Sequence, residues 1–213
     1  MVATADEEET WRQGKAADPE IALYPLRFAP IYEYRPWGGR NLADLLSTPL
    51  PDGPVGEAWV LSDRPDHQSR VLDGPLTGRT LHQLVELFPQ KLLGETALPL
   101  GRFPLLLKFL DARDVLSVQV HPSDANTRYL PAGETAKTEA WVVLTAGPES
   151  RVYAGIKRGA TAASVRCAID SSTVEDQLEY FVPWSATLFS CPQARSTRLV
   201  ATSLCSRCNK TAT

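Results

Sequence analysis

Long hydrophobic runs are missing from this sequence: no apolar stretch approaches the roughly 20 residues that a membrane-spanning helix needs. A surplus of positive charge is missing too. Lys and Arg number 22 against 25 Asp and Glu, for a formal net charge of −3. Nothing sequence-wide therefore argues for nucleic acid or an anionic membrane as a partner. The N-terminus carries Asp6, Glu7, Glu8 and Glu9 where a secretory signal would need a basic and then an apolar stretch. The chain is expected to be soluble and cytoplasmic. No glycine-rich phosphate loop of the G-x-G-x-x-G or G-x-x-x-x-G-K-[ST] type follows a candidate strand. Cysteine is scarce, with Cys167 alone and Cys191, Cys205 and Cys208 near the C-terminus. Cys205 and Cys208 form a C-x-x-C without the second pair of a structural zinc site or the strand and helix of a redox site. That spacing is read as chance.

What is present fits one domain with a real core: 213 residues, 43% hydrophobic and 22% charged. Residues 1–22 are polar, acidic and unpatterned, and are expected to form a disordered leader. Tyr24 to Leu61 is proline-rich and reads as loop, ending in the β-prone run Glu57-Ala58-Trp59-Val60-Leu61. Thr80 and Gln83 have the spacing of a capping box, and Leu81, Leu84, Val85 and Phe88 follow at helical intervals before Pro89. After Gly101 the pattern changes. Pro104 to Leu110 is apolar except for Lys108, as a buried strand would be. Leu116 to His121 alternates, with Leu116, Val118 and Val120 on one face and Ser117, Gln119 and His121 on the other. Strands are predicted over Lys137–Leu144 and Arg151–Ala154, and short helices over Ala162–Ile169 and around Val174–Leu178. Such a mainly-β order favours a sandwich or barrel over a βαβ fold.

One constellation has chemical potential. Gln119 and His121 share a strand face, and so do Lys137 and Glu139 on the next strand. An amide oxygen, an imidazole and a carboxylate converging inside a small barrel are three donors that zinc or a similar ion accepts. The same residues also fit a plainer role, with His121 hydrogen-bonded structurally and Lys137 and Glu139 a solvated pair. His67 and His82 are read as structural. Trp37, Trp59 and Trp141 are read as core rather than sugar platforms. Lys108 is open between contact with an anionic substrate and an aliphatic stem running along the strand.

The segment Ser117-Val118-Gln119-Val120-His121-Pro122, followed by Lys137-Thr138-Glu139-Ala140-Trp141, resembles the core signature of type I mannose-6-phosphate isomerases, a zinc-dependent cupin family. Three more segments agree in order: Tyr34-Arg35-Pro36-Trp37-Gly38-Gly39, Gly56-Glu57-Ala58-Trp59 and Phe103-Pro104-Leu105-Leu106-Leu107-Lys108. The resemblance runs from about Pro25 to about Pro183. It implies a cupin double-stranded β-helix, or jelly-roll, catalytic domain over residues 23–183, with one zinc ion held by Gln119, His121 and Glu139. The implied reaction is reversible isomerisation of mannose 6-phosphate and fructose 6-phosphate through an enediol, with Lys137 a candidate for proton transfer. The partner would be a small sugar phosphate. A different class remains open, a non-catalytic cupin module that binds a sugar or sugar phosphate.

Beyond Pro183 the sequence leaves the family pattern. The family's fourth ligand comes from a P-A-G-T-x-H motif, and no histidine follows His121 here. Residues from Trp184 onward show neither a strand nor a helix period. Back-translated with allowed codons and read from the third base, Ser185 to Leu199 becomes G-D-T-V-F-L-P-A-G-T-V-H-S-L, which contains that motif. Residues 184–213 are therefore expected to be a frame-shifted, non-family tail, leaving the barrel incomplete. If the shift is in the protein, zinc binding weakens and the chain is inactive. In either frame, His121→Ala is expected to remove most bound zinc, because a three-ligand set has none to spare. Unchanged zinc stoichiometry by elemental analysis would refute the ligand assignment.

Overall fold

The computed structural model describes residues 22–96, 98, 101–120, 124–130, 137–191, 196–200 and 203–211. Twelve strands are placed among them: β1 Ile31–Gly39, β2 Val55–Leu61, β3 Asp63–Arg64, β4 His67–Gln68, β5 Leu105–Ala112 and β6 Gln119–Val120, then β7 Lys137–Ala146, β8 Arg151–Ile156, β9 Leu178–Phe181, β10 Leu188–Cys191, β11 Ser196–Val200 and β12 Ser203–Thr211. Four short helices accompany them: α1 Leu42–Leu46, α2 Leu81–Leu87, α3 Pro89–Leu93 and α4 Ala162–Asp170. One antiparallel sheet has the order β1-β2-β5-β12-β7-β10, and a second has the order β6-β11-β8-β9. This is the mainly-β, jelly-roll-like architecture expected, without a closed barrel among the described residues. None of the described helices is long and apolar enough to cross a membrane.

Alternation along the strands decides where the core lies. Trp59 pairs with Lys108, and the Lys108 row continues across the backbone of β12 to Trp141, so Trp59, Lys108 and Trp141 stand in one register row. Side chains in one row share a face. Leu110, Ala112, Trp141 and Val143 from this face pack with Val152 of β8 and Phe181 of β9, joining the two sheets. The opposite face of β1, β2 and β5 is covered by α1, where Leu42 and Leu46 meet Ala58, Tyr32 and Phe109. A side lobe forms where Leu84 of α2 and Leu92 of α3 pack on Val71, Leu76 and Phe28.

Two helices begin where the sequence indicates. Thr80 accepts a hydrogen bond from the Gln83 amide at 3.1 Å, and the Gln83 side chain accepts one from the Thr80 amide at 2.9 Å. Thr161 and Ser164 cap α4 in the same reciprocal way. The helix expected around Val174–Leu178 is a 3-10 turn over Val174–Gln177.

Three expectations need correction. Tyr24 to Leu61 is not loop throughout, because Ile31–Gly39 forms β1, nine residues long, with Pro36 inside it. Pro36 withholds an N–H from the ladder, and the register with β2 is irregular just there, between Tyr34 and Gly39. Within the described part of the alternating run, Leu116–Val120, only the two-residue β6 is strand, with Leu116 buried but Val120 65% exposed. The region after Trp184, which has no strand period, supplies β10, β11 and β12. Backbone hydrogen bonds on both sides hold β12 between β5 and β7, and pairing of that kind does not require side-chain alternation.

The turn after β1 depends on a close approach. A Cβ on Gly39 would lie 2.5 Å from Asp111 Oδ2. That fully buried carboxylate accepts bonds from the Asn41 amide at 2.6 Å and its side-chain nitrogen at 3.0 Å, tying the start of α1 to β5.

Thr80→Ala should cost about 1 kcal/mol of stability, since it removes a cap and leaves helix N–H groups unsatisfied. Urea denaturation of the two proteins checks it, with an unchanged slope expected.

Candidate functional site

The inner face of the larger sheet is polar at one end. Alternation puts Glu33 and Arg35 of β1, Glu57 and Trp59 of β2, and Lys108 of β5 on it together. Glu57 is at the centre, 6% exposed, and its Oε2 accepts from the Trp59 indole at 2.7 Å and from Lys108 Nζ at 2.9 Å. Arg35 Nε stands 3.4 Å from the other Glu57 oxygen, and the same guanidinium donates to Glu33 at 3.1 Å. His67, in the β3–β4 hairpin, shares a hydrogen bond with Glu33 at 2.8 Å and lies with its ring centroid 4.8 Å from that of Trp59. Lys108 Nζ sits 5.3 Å above the Trp59 ring, a cation–π contact. Burial alone would raise the Glu57 pKa. The Lys108 charge and hydrogen bond, the Trp59 hydrogen bond and the Arg35 charge outweigh it, and Glu57 titrates below its ordinary value.

A second carboxylate enters the interior two strands from Lys108. Glu139 is fully buried and accepts from the Trp141 indole at 3.1 Å. It begins the same local pattern as Glu57, since Glu57-Ala58-Trp59 and Glu139-Ala140-Trp141 both fold an indole N–H back onto the carboxylate two residues earlier.

The other residues singled out from the sequence are placed unevenly. Gln119 lies exposed in β6, in the smaller sheet, whereas Glu139 belongs to β7 of the larger one. His121 and the Lys137 side chain lie outside the described residues. Among the described residues no group of three His, Cys, Asp or Glu side chains has the arrangement of a metal site. The donor set of amide, imidazole and carboxylate still suits zinc in kind, and burial of Glu139 in the sheet interior suits one member of it. Trp59 and Trp141 are core residues, as expected. Lys108 is no surface-seeking lysine but an internal ion-pair partner. His82 meets the buried Asp63 at 3.2 Å, and Asp63 also accepts from the Phe103 amide at 2.6 Å, which anchors α2 and the chain before β5 to the β3–β4 hairpin. The Glu33–Arg35–His67 extension was not foreseen. Its sequence signal is the polar alternation Glu33-x-Arg35 inside the proline-rich run.

Comparison with known proteins bears on this site directly. The family described as "Phosphomannose isomerase type I, catalytic domain" matches residues 26–145, a span that includes Glu57, Lys108 and Glu139. The chain is 40% identical over 131 residues to "Mannose-6-phosphate isomerase ManA" of Bacillus subtilis, covering 62% of this chain and 40% of the relative. It is 37% identical over 133 residues to "Probable mannose-6-phosphate isomerase GmuF" of the same organism, covering 62% and 41%. The chain thus spans about two fifths of the length of these curated relatives. Among solved structures it is similar to the mannose 6-phosphate isomerase from Bacillus subtilis, with a TM-score of 0.79 and 26% identity over 89% of this chain and 59% of that one. A putative mannosephosphate isomerase from Archaeoglobus fulgidus shares the fold, with a TM-score of 0.73 at 23% identity over 89% of this chain and 62% of that one.

Lys108→Met should cost about 3 kcal/mol, because it strands a buried carboxylate. Glu57→Gln combined with it should cost less than the sum of the single changes, which a double-mutant denaturation cycle measures. The sign with pH follows from the lowered Glu57 pKa. Its contribution to stability is fully present above the unfolded-state value of about 4.3 and fades as pH falls through the lower folded value. The Glu57→Gln variant should therefore lose less stability than the parent on acidification below about pH 4.

Proposed function

Because this chain belongs to the type I phosphomannose isomerase family, we propose that it carries ligand-bearing strands of an isomerase that interconverts mannose 6-phosphate and fructose 6-phosphate. The observation that carries the reading is Glu139, a carboxylate fully buried on the inner sheet face and oriented by the Trp141 indole, inside the matched span. Gln119, His121 and Glu139 would hold one zinc ion. A related solved structure titled "mannose 6-phosphate isomerase (holo; zinc bound)" supports that choice of metal. When bound, zinc would supply charge stabilisation for oxygen atoms of the substrate that become negative during the reaction.

The remaining chemistry falls to side chains of this chain. The isomerisation moves one proton from C2 of the aldose to C1, while the C1 carbonyl oxygen gains a proton and the C2 hydroxyl loses one. Lys137, two residues before Glu139 on the same strand face, is the candidate for carrying a proton between these carbons. Lys108 and Arg35 place positive charge on the inner face, but their shared work is to hold Glu57. They are supports for the site rather than reacting groups. Residues 23–183 form the catalytic unit in this reading, and 184–213 are a frame-shifted tail. The family match, which stops at residue 145, is compatible with that division, and the nucleotide sequence across codons 175 to 213 tests it.

The decisive experiment joins zinc analysis to a coupled assay of fructose 6-phosphate formation, on the 213-residue chain and on one with the family frame restored after Pro183. We expect zinc-dependent turnover in the restored chain, and Glu139→Gln to weaken zinc uptake by more than about tenfold in both. A cooperatively melting restored chain that binds sugar phosphate without turning it over would replace the enzyme by the sugar-binding module.

A further inference from the structure

A cleft of about 560 Å³ opens at the end of the larger sheet, lined by Gly38, Gly39, Arg40, Gly53, Arg113 and Asp114 among others. Its volume is that of a small-molecule site. The walls are fixed by backbone bonds: the Arg113 amide donates to the Trp37 carbonyl at 2.9 Å, which holds the turn after β5 against the end of β1. Among the described residues Arg40 is braced through its NH1 group alone, which donates to the carbonyls of Pro51 and Gly53. Three of its five N–H donors, on Nε and NH2, are left over by that arrangement. Arg113 is exposed, and no ion pair or side-chain hydrogen bond engages its guanidinium among the described residues. Asp114, the one carboxylate in the lining, instead accepts from the Val115 amide at 2.6 Å. The cleft is therefore lined by two arginines whose guanidinium groups have donors to spare.

We propose that this cleft is a second binding site, for the phosphate group of a small phosphorylated metabolite. Guanidinium forks match the oxygens of a phosphate dianion in spacing and charge. The site is separate from the one built around Glu139. Gly38 stands in register with Ala112, whereas Glu139 stands in register, through Asn209, with Leu106. Those two rows are six positions apart along β5, about 20 Å along the strand. One sugar phosphate does not span that distance, so occupancy here would accompany rather than replace occupancy of the inner face. The proposal does not rest on the isomerase reading.

Isothermal titration of the full chain with inorganic phosphate tests it, with acetate at matched ionic strength alongside. Saturable phosphate binding in roughly the millimolar range is expected, about tenfold weaker in Arg113→Ala and weaker again in Arg113→Glu. Arg113 is exposed and bonded only through its backbone, so melting temperature should not move. Acetate should bind more weakly than phosphate. Absence of saturable binding, or equal affinity in the parent and Arg113→Ala, overturns the site. Acetate binding as tightly as phosphate overturns its assignment to a phosphate group.

Discussion

A carboxylate taken out of water must be met by donors and cations, and in this protein that demand falls on Glu57. Three strands answer it: β1 through Arg35, β2 through Trp59 and β5 through Lys108. A slip of one residue in any of these strands would turn its contributor to the other face. The network therefore selects the register of the sheet as well as stabilising it. His67 extends the same logic to the β3–β4 hairpin, because its bond to Glu33 and its contact with Trp59 dock that hairpin against the polar end of the face.

The repeated Glu-Ala-Trp pattern shows how one local device can serve two purposes. In both copies the indole N–H returns to the carboxylate two residues earlier and holds its rotamer. At Glu57 the oriented carboxylate is engaged by cations, and the result is architectural. At Glu139 the same orientation is the kind of preparation that a metal-binding carboxylate needs, since ligands fixed before binding lose less freedom when the ion arrives.

Local chemistry was legible in the sequence wherever it was self-contained. The helix after Thr80 was readable because Thr80 with Gln83 carries its own start signal, whereas the helix over Ala162–Ile169 was expected without its cap, Thr161, being singled out. The apolar run before Leu110 and the alternation around Glu139 likewise announced buried strands. What escaped reading depends on partners distant in the chain. Strand β1 was hidden by Pro36 and its proline-rich surroundings, and only pairing with β2 reveals it. Of the alternating residues that are described, Leu116 to Val120, only Gln119 and Val120 are strand, because the neighbouring strand decides how far pairing extends. Arg35, Glu57, His67 and Lys108 come from four separate segments, so no window of sequence could show them meeting. Of the proposed metal ligands, Glu139 is placed in the interior and Gln119 on the surface; spacing suggested the set and family resemblance strengthened it.

The position of β12 carries a consequence for the order of assembly. It is antiparallel to both β5 and β7, which therefore run in the same direction as each other and cannot simply close up in its absence with their bonding pattern preserved. The centre of the larger sheet is occupied by the segment made last among those described. During synthesis, β5 and β7 must wait with unpaired edges until residues 203–211 have left the ribosome. Non-local strand pairing of this sort is slow, and waiting edges recruit other chains. Soluble yield of the 213-residue chain should thus depend on how quickly β12 pairs between β5 and β7 as well as on the strength of the core.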